Sequence, residues 1–471
     1  MPFMEKLRKI FGLETYVCVL TALILFPHLI LFSSTLLCNL CNVVIYTWGV
    51  PIILYHLIKE KPFLPSHRQC ILFYLIAAFF VFSFVSIAVN YHTNLVENLS
   101  SWYSGGLQIF VCCFCIASAP KERAKKLFSN IILSTVALTM PIAIASLVLQ
   151  LLNIRPLEAQ TSRFTGLFYN PNSCYICAVS LILGFLYWII YKKKKKLMIA
   201  NGLLQASLIG LSESRALFVM MGVILVLTAA VYAFIRYGRQ LKKAALSFVA
   251  VLLVCLVCFE GVTLFGRYLP QAGSVIKNSI SSILSPNNPS EEEPPKITPP
   301  NREESNKEAS NSFRITLLVS GLKTFSMHPI FGVGPRNIAD KVREAVPEED
   351  LNGIDGGGLH NMYVQLLVGV GIGGFLLFVL LAVYVILSFI RTLKYQKKKK
   401  EPWEPAMLYC FVMMLGICSY QLFEANFMFA NTLVSIGFWS IAGFLMNRIS
   451  QQLPSMPWKK SPKPITQEEL N

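Results

Sequence analysis

Apolar and polar residues follow one another along this chain in long blocks rather than with the short periods of a soluble domain. Apolar stretches occur at about residues 15–33, 36–58, 69–89, 105–119, 128–150, 173–191, 197–212, 216–235, 244–265, 359–390, 404–424 and 428–447. A helix crosses a hydrocarbon core of about 30 Å with about 20 such residues, and most of these stretches reach or approach that length. The pattern predicts an all-α polytopic membrane protein, a single membrane domain over residues 1–471 with about 12 transmembrane helices. The stretches at 105–119 and 197–212 are the shortest. No repeat of fixed period and no pair of broken helices of the transporter kind stands out.

The largest interval between apolar stretches, 267–358, divides into three parts. Its middle, 285–311, reads SPNNPSEEEPPKITPPNREESNKEASN and is too polar and proline-rich to bury a core, so a disordered loop is expected there. Beyond it, Phe313 to Met327 and a shorter piece around Ile338 to Val346 carry apolar residues at helical spacing, as short helices lying on a membrane surface would. At the other extremes, residues 15–33 read as a retained span, because no small-residue cleavage pattern follows them at a suitable distance. Residues 448–471 read as a short tail.

Charge assigns sides to this layout. Only 14% of the residues are charged, against about 25% in an ordinary soluble domain. The net charge of +17 would suggest nucleic acid if it lay on one soluble face. Instead, basic clusters such as Lys59/Lys61/Arg68, Lys192 to Lys196 and Lys397 to Lys400 occupy every second gap, and the gaps between them are poor in basic residues. By the positive-inside rule those clusters are cytoplasmic, which places both termini and the 448–471 tail inside and makes 267–358 a large extracytoplasmic loop. The inner segments hold 29 of the 42 basic residues and 8 of the 25 acidic ones. Membrane lipids, through their anionic headgroups, are the partner this charge implies; no nucleic-acid partner is expected.

Eight of the 13 remaining basic residues are Arg (Arg155, Arg163, Arg215, Arg267, Arg302, Arg314, Arg336 and Arg343), whereas the 29 inner ones include seven. Topology needs only positive charge, but a guanidinium adds a planar fork of donors that fits phosphate oxygens, so this bias points to a polyanionic ligand outside. Any one of these arginines could equally snorkel at the interface. His360, directly before the long stretch at 359–390, has the near-neutral pKa of a general base for a hydroxyl, or is simply interfacial; His328 is its competitor. His28, Glu260 and Glu424 are the notable ionisable residues that interrupt the apolar stretches, fewer than a proton-coupled transporter usually needs. The CxxC pairs Cys38/Cys41, Cys174/Cys177 and Cys255/Cys258 lie in or at the ends of apolar stretches, where i, i+3 spacing is one helix face and packing explains them better than metal. The three aspartates, Asp340, Asp350 and Asp355, form no DxD triplet, so no metal site and no cofactor are expected, and arginine would balance any diphosphate charge.

These motifs occur in a particular order: RFTGLFYNPN, SESR, FRITLLVSGLKTFSMHPIFGVGPRN and HNMYVQLLVGVGIGG. In that order, and across about residues 160–390, the chain resembles the O-antigen ligase and polymerase superfamily of bacterial envelope glycosyltransferases. The resemblance implies a multi-pass enzyme of the bacterial inner membrane. Such an enzyme moves a glycan from undecaprenyl diphosphate to a hydroxyl of a polysaccharide or other envelope acceptor, at the outer face and without metal. Carried over by motif, Arg215 in SESR and Arg314 in FRIT would hold the diphosphate, and His360 in HN would act on the acceptor. Arg163 in RFTG would add a phosphate contact, Asn361 would orient the site, and Arg336 in GPRN would bind substrate. An acid that family members often carry in the following span has no counterpart at Gly369 or Val370. The competing reading is a transporter or flippase of a lipid-linked saccharide; arginines at span ends beside a large outer loop favour the enzyme.

Overall fold

The computed structural model describes residues 12–32, 34–64, 67, 69–152, 164–168, 171–238, 240–284, 304–349, 351, 354 and 358–453. Its regular elements are helices; among the described residues the only β feature is one isolated bridge, Leu29 with Phe168. In chain order they are α1 (Leu13–Leu25), α2 (Thr35–Glu60), α3 (Cys70–Val89), α4 (Leu95–Ser118), α5 (Lys121–Leu151), α6 (Tyr175–Tyr191), α7 (Lys195–Ser212), α8 (Arg215–Tyr237) and α9 (Leu241–Leu284). Then come α10 (Glu304–Met327), α11 (Ile338–Ala345), α12 (Met362–Lys399), α13 (Pro405–Tyr420) and α14 (Leu433–Gln452). Each apolar stretch of the sequence coincides with one of these, and α10 and α11 fall on the two helices expected in the 267–358 interval.

Nine of the described helices are long and apolar enough to cross a membrane. α1, α7 and α13 fall short of the expected twelve, each for a local reason. α1 gives way to a 3-10 turn at Phe26–His28, where Pro27 enters. α7 carries Asn201 and Gln205 in its interior. α13 has 16 residues, about 24 Å at 1.5 Å per residue, and ends at Tyr420 where the apolar pattern runs on to 424. A correction concerns 285–311: α10 begins at Glu304, so the last eight residues of that stretch are helical, in keeping with the helix-favouring Glu304, Lys307, Glu308 and Ala309. Residues 285–303 lie outside the described residues.

α14 sits at the centre, with 89% of its apolar window buried, and α9 at the periphery, with 6%. Phe128 of α5 stacks on Phe444 of α14 at 4.6 Å between ring centres, one of many aromatic contacts around that central helix. Polar side chains link the helices where lipid could not satisfy them. Thr139 and Ser180 hydroxyls are 2.7 Å apart, Ser180 donates to Asn201, and Gln205 donates to the same Asn201 oxygen at 3.1 Å. Cys174 and Cys177 are buried in this packing as free thiols, Cys41 is likewise buried, and Cys258 is exposed on α9.

α12 is broken at Gly371, whose φ of 68° and ψ of −177° lie where only glycine is at ease. The peptide groups released by the break, two carbonyls and one N–H, are taken up by HPIFGVGP. Val333 N–H donates to Val368 O at 3.0 Å, Gly334 N–H to Gly369 O at 2.8 Å, and Ile372 N–H to Pro329 O at 2.8 Å. Ser86 of α3 adds a hydroxyl to Gly369 O at 3.0 Å. A Cβ on Gly332 would come within 2.5 Å of the backbone of Val368 and Gly371, so the two glycine-rich motifs fit each other backbone to backbone. In an apolar surrounding every unsatisfied peptide group costs several kcal/mol, and this exchange satisfies them within the protein. Around it Leu317, Val333, Ile338, Val342, Leu359 and Val368 form a second, smaller core, which seats α10 and α11 on the first turns of α12.

Candidate active site

Leu317 anchors α10 in that small core beside Leu359, and Arg314, one turn earlier on the same helix face, is thereby carried to the residue after Leu359, His360. A third residue joins them. Glu424, only 8% exposed, places one carboxylate oxygen 3.3 Å from His360 Nδ1 and the other 3.6 Å from Arg314 Nη2. The first contact is a hydrogen bond; the second is an ion pair just beyond hydrogen-bond length. A carboxylate only accepts, so the proton of a neutral His360 belongs on Nδ1 and Nε2 carries the lone pair. Arg314 keeps about a third of its side chain exposed, so its remaining donors stay open to a ligand.

The backbone holds His360 in this position. Its φ of 49° puts a non-glycine residue in the left-handed region, at a cost of about 1–2 kcal/mol. Asn361 follows as the N-cap of α12, its side-chain oxygen accepting from Tyr363 N–H and Val364 N–H at 3.1 Å each. Its amide donates to Leu422 O at 3.2 Å, and Met362 N–H donates to Gln421 O at 2.9 Å. The segment 421–432, most of which the apolar pattern assigned to the spans at 404–424 and 428–447 with only 425–427 between them, is instead a folded strap across the start of α12. Gln421 and Asn426 bond each other twice, and Thr432 caps α14 by accepting from Ser435 N–H.

From Glu424 polar groups continue into the bundle. Tyr175 and Tyr420 are near enough to feel its charge, and the Tyr175 hydroxyl is 3.2 Å from His28 Nε2. The same nitrogen is 3.4 Å from Asn431 O. Asn431 accepts from Gln108 at 2.6 Å and from Ser104, and donates to Asn42 at 2.8 Å. Next to His28, Ile30 N–H donates to Leu167 O, so residues 164–168 of RFTGLFYNPN dock at this same end.

Arg336 lies on the other side of the strap. Its N–H donates to Asn98 Oδ1 at 2.9 Å, Asn98 donates to Asn337 Oδ1 at 2.9 Å, and Asn337 donates to Val333 O, so α4 holds GVGPRN in place. Arg336 is an exposed residue, yet protein crowds its guanidinium closely enough to strip part of its hydration. That crowding lowers its pKa from the usual arginine value, with Tyr46 and Glu97 acting the other way. It borders a cleft whose walls include Ser101, Met362, Gln365, Ala425 and Phe429.

Of the residues singled out in the sequence, His360 and Arg314 share one carboxylate and Asn361 sets their backbone. Arg215 is exposed at the first position of α8, just after the turn in which Glu213 pairs with Arg267 at 3.4 Å. Arg163 lies outside the described residues. His328 ends α10 and opens the chain segment that fills the break in α12. Glu260 is exposed on α9. Glu424 is the residue that sequence reasoning passed over: it was visible as an ionisable group at a span end, but its partner is 64 positions away. Among the described residues no three of His, Cys, Asp and Glu come together as a metal-binding group.

No curated protein matches the chain. Residues 200–379, from the middle of α7 to the middle of α12, match the family model described as O-antigen ligase. That region contains Arg215, Arg314, Arg336, His360 and Asn361, and leaves Glu424 and His28 outside it. With its apolar helices, the chain is an integral membrane protein, and its residues 200–379 are similar to the O-antigen ligase family.

Proposed function

We propose that the protein is a metal-independent glycosyltransferase of the bacterial inner membrane. It would transfer a glycan from undecaprenyl diphosphate to a hydroxyl of a polysaccharide or other envelope acceptor. The observation that carries this reading is the Glu424 carboxylate set between His360 and Arg314. In the proposed mechanism His360 Nε2 takes the proton of the acceptor hydroxyl, and Glu424 fixes the tautomer and stabilises the imidazolium that forms. The hydroxyl oxygen attacks the anomeric carbon as its bond to the diphosphate breaks. Charge grows on the leaving diphosphate, and Arg314, assisted by Arg215 and Arg163, binds it more tightly at that point than before. Attack opposite the leaving group inverts the anomeric centre, which linkage analysis of the product checks.

The same proposal gives the chain twelve spans, with α1, α7 and α13 as the shorter crossings, both termini in the cytoplasm, and the site on the outer face within and beside the 267–358 loop. The lysine-rich gaps support that orientation. The test is complementation of a deletion strain with His360→Ala, Arg314→Ala and Arg215→Ala, following surface polysaccharide and lipid-linked precursor by size. All three variants should reach the membrane at near-normal abundance and lose mature glycan, with precursor accumulating at the outer face. Single unpolymerised units would identify a polymerase and full-length unattached chains a ligase. Normal glycan from all three variants overturns the assignment, and precursor held on the inner face turns it into transport.

A further inference from the structure

The cleft bordered by Arg336 shares its walls with the reacting cluster but not its charges. Ala425 follows Glu424, and Met362 is two residues after His360, so whatever fills the cleft adjoins the place where the acceptor hydroxyl would be activated. None of its lining residues is acidic. The guanidinium of Arg336 stands on a backbone fixed by Asn98, with the amide side chain of Gln365 in the same cleft and Phe429 and Met362 as apolar wall. A ring with one apolar face, hydroxyls at its rim and a negative substituent matches this set, because a guanidinium fork grips planar carboxylate or phosphate oxygens in pairs. A diphosphate alone would leave the apolar wall without a partner.

We propose that the Arg336 cleft is a subsite for an acidic sugar of the transferred or accepting glycan, one bearing a carboxylate or a phosphate ester. This rests on the glycosyl-transfer reading and adds the class of sugar to it. The test is saturation-transfer NMR on the purified full-length protein in detergent. The probes are glucuronate, glucose 6-phosphate, glucose and inorganic diphosphate, each added to wild type, Arg336→Gln and Arg314→Ala. At least one acidic sugar should bind wild type about tenfold more tightly than glucose, as expected of a charge-assisted pair. Which of the two it is identifies the acid. Arg336→Gln should erase that preference while still binding diphosphate, which shows that the variant is folded, and Arg314→Ala should keep the preference. Equal binding of acidic and neutral sugars to wild type overturns the proposal, as does a preference that survives Arg336→Gln. Loss of diphosphate binding in Arg336→Gln but not in Arg314→Ala overturns it in favour of a donor-diphosphate site. Failure of the transferase reading would show separately, as normal glycan from His360→Ala in cells.

Discussion

A carboxylate placed between an imidazole and a guanidinium fixes the direction of one and balances the charge of the other. Glu424 holds both positions from a largely buried site, so a change of charge there should reach both partners. Glu424→Gln keeps the shape and one acceptor but loses the negative charge. Transfer should fall about 10²–10⁴-fold, the range of a general-base contribution, while abundance in the membrane fraction stays near normal. Full activity in this variant would detach Glu424 from the reaction. His360 and Arg314 were legible in the sequence because each stands in a recognisable string of residues. Glu424 was not, because its role appears only once α13 is seen to stop at Tyr420 and the strap 421–432 to fold back over Asn361.

Helices are the part of this fold that the hydrophobic pattern carries best, since an apolar block of about 20 residues has few alternatives in a membrane. Their ends and breaks are carried poorly. The apolar run at 359–390 gives no hint that it contains two helices, because the peptide groups freed at Gly371 are satisfied by residues 329–334, more than 30 positions earlier. The glycines of VGVGIGG and FGVGP look like flexible spacers in sequence; in the fold they allow two backbones to meet. Gly371→Ala should therefore be damaging well beyond the loss of a helix-breaking residue. The new Cβ would lie 2.2 Å from Ile330 O, in a backbone conformation that itself costs about 1–3 kcal/mol for alanine. A lower melting temperature of the purified protein and reduced membrane abundance are expected. An unchanged melting temperature would mean that the break relaxes into a straight helix without loss.

On the scale of the whole molecule, the segments that build the candidate site gather at one end of the bundle, and lysine-rich turns such as Lys192 to Lys196 and Lys397 to Lys400 mark the gaps assigned to the other. Alkaline phosphatase fused after Ser285 should be active and fused after Lys194 inactive; the reverse pattern would invert the proposed orientation. The proposed sidedness depends on counting charges in gaps, which the sequence alone supplies, whereas the strap and the interlock depend on contacts between distant segments. The interlock also bears on how the chain is made. Residues 329–334 emerge from the ribosome before 368–372, so the groups that will bond the break in α12 have already been synthesised when that helix arrives. The helix can then enter the bilayer against a waiting partner, and at no stage need it hold open peptide groups in lipid.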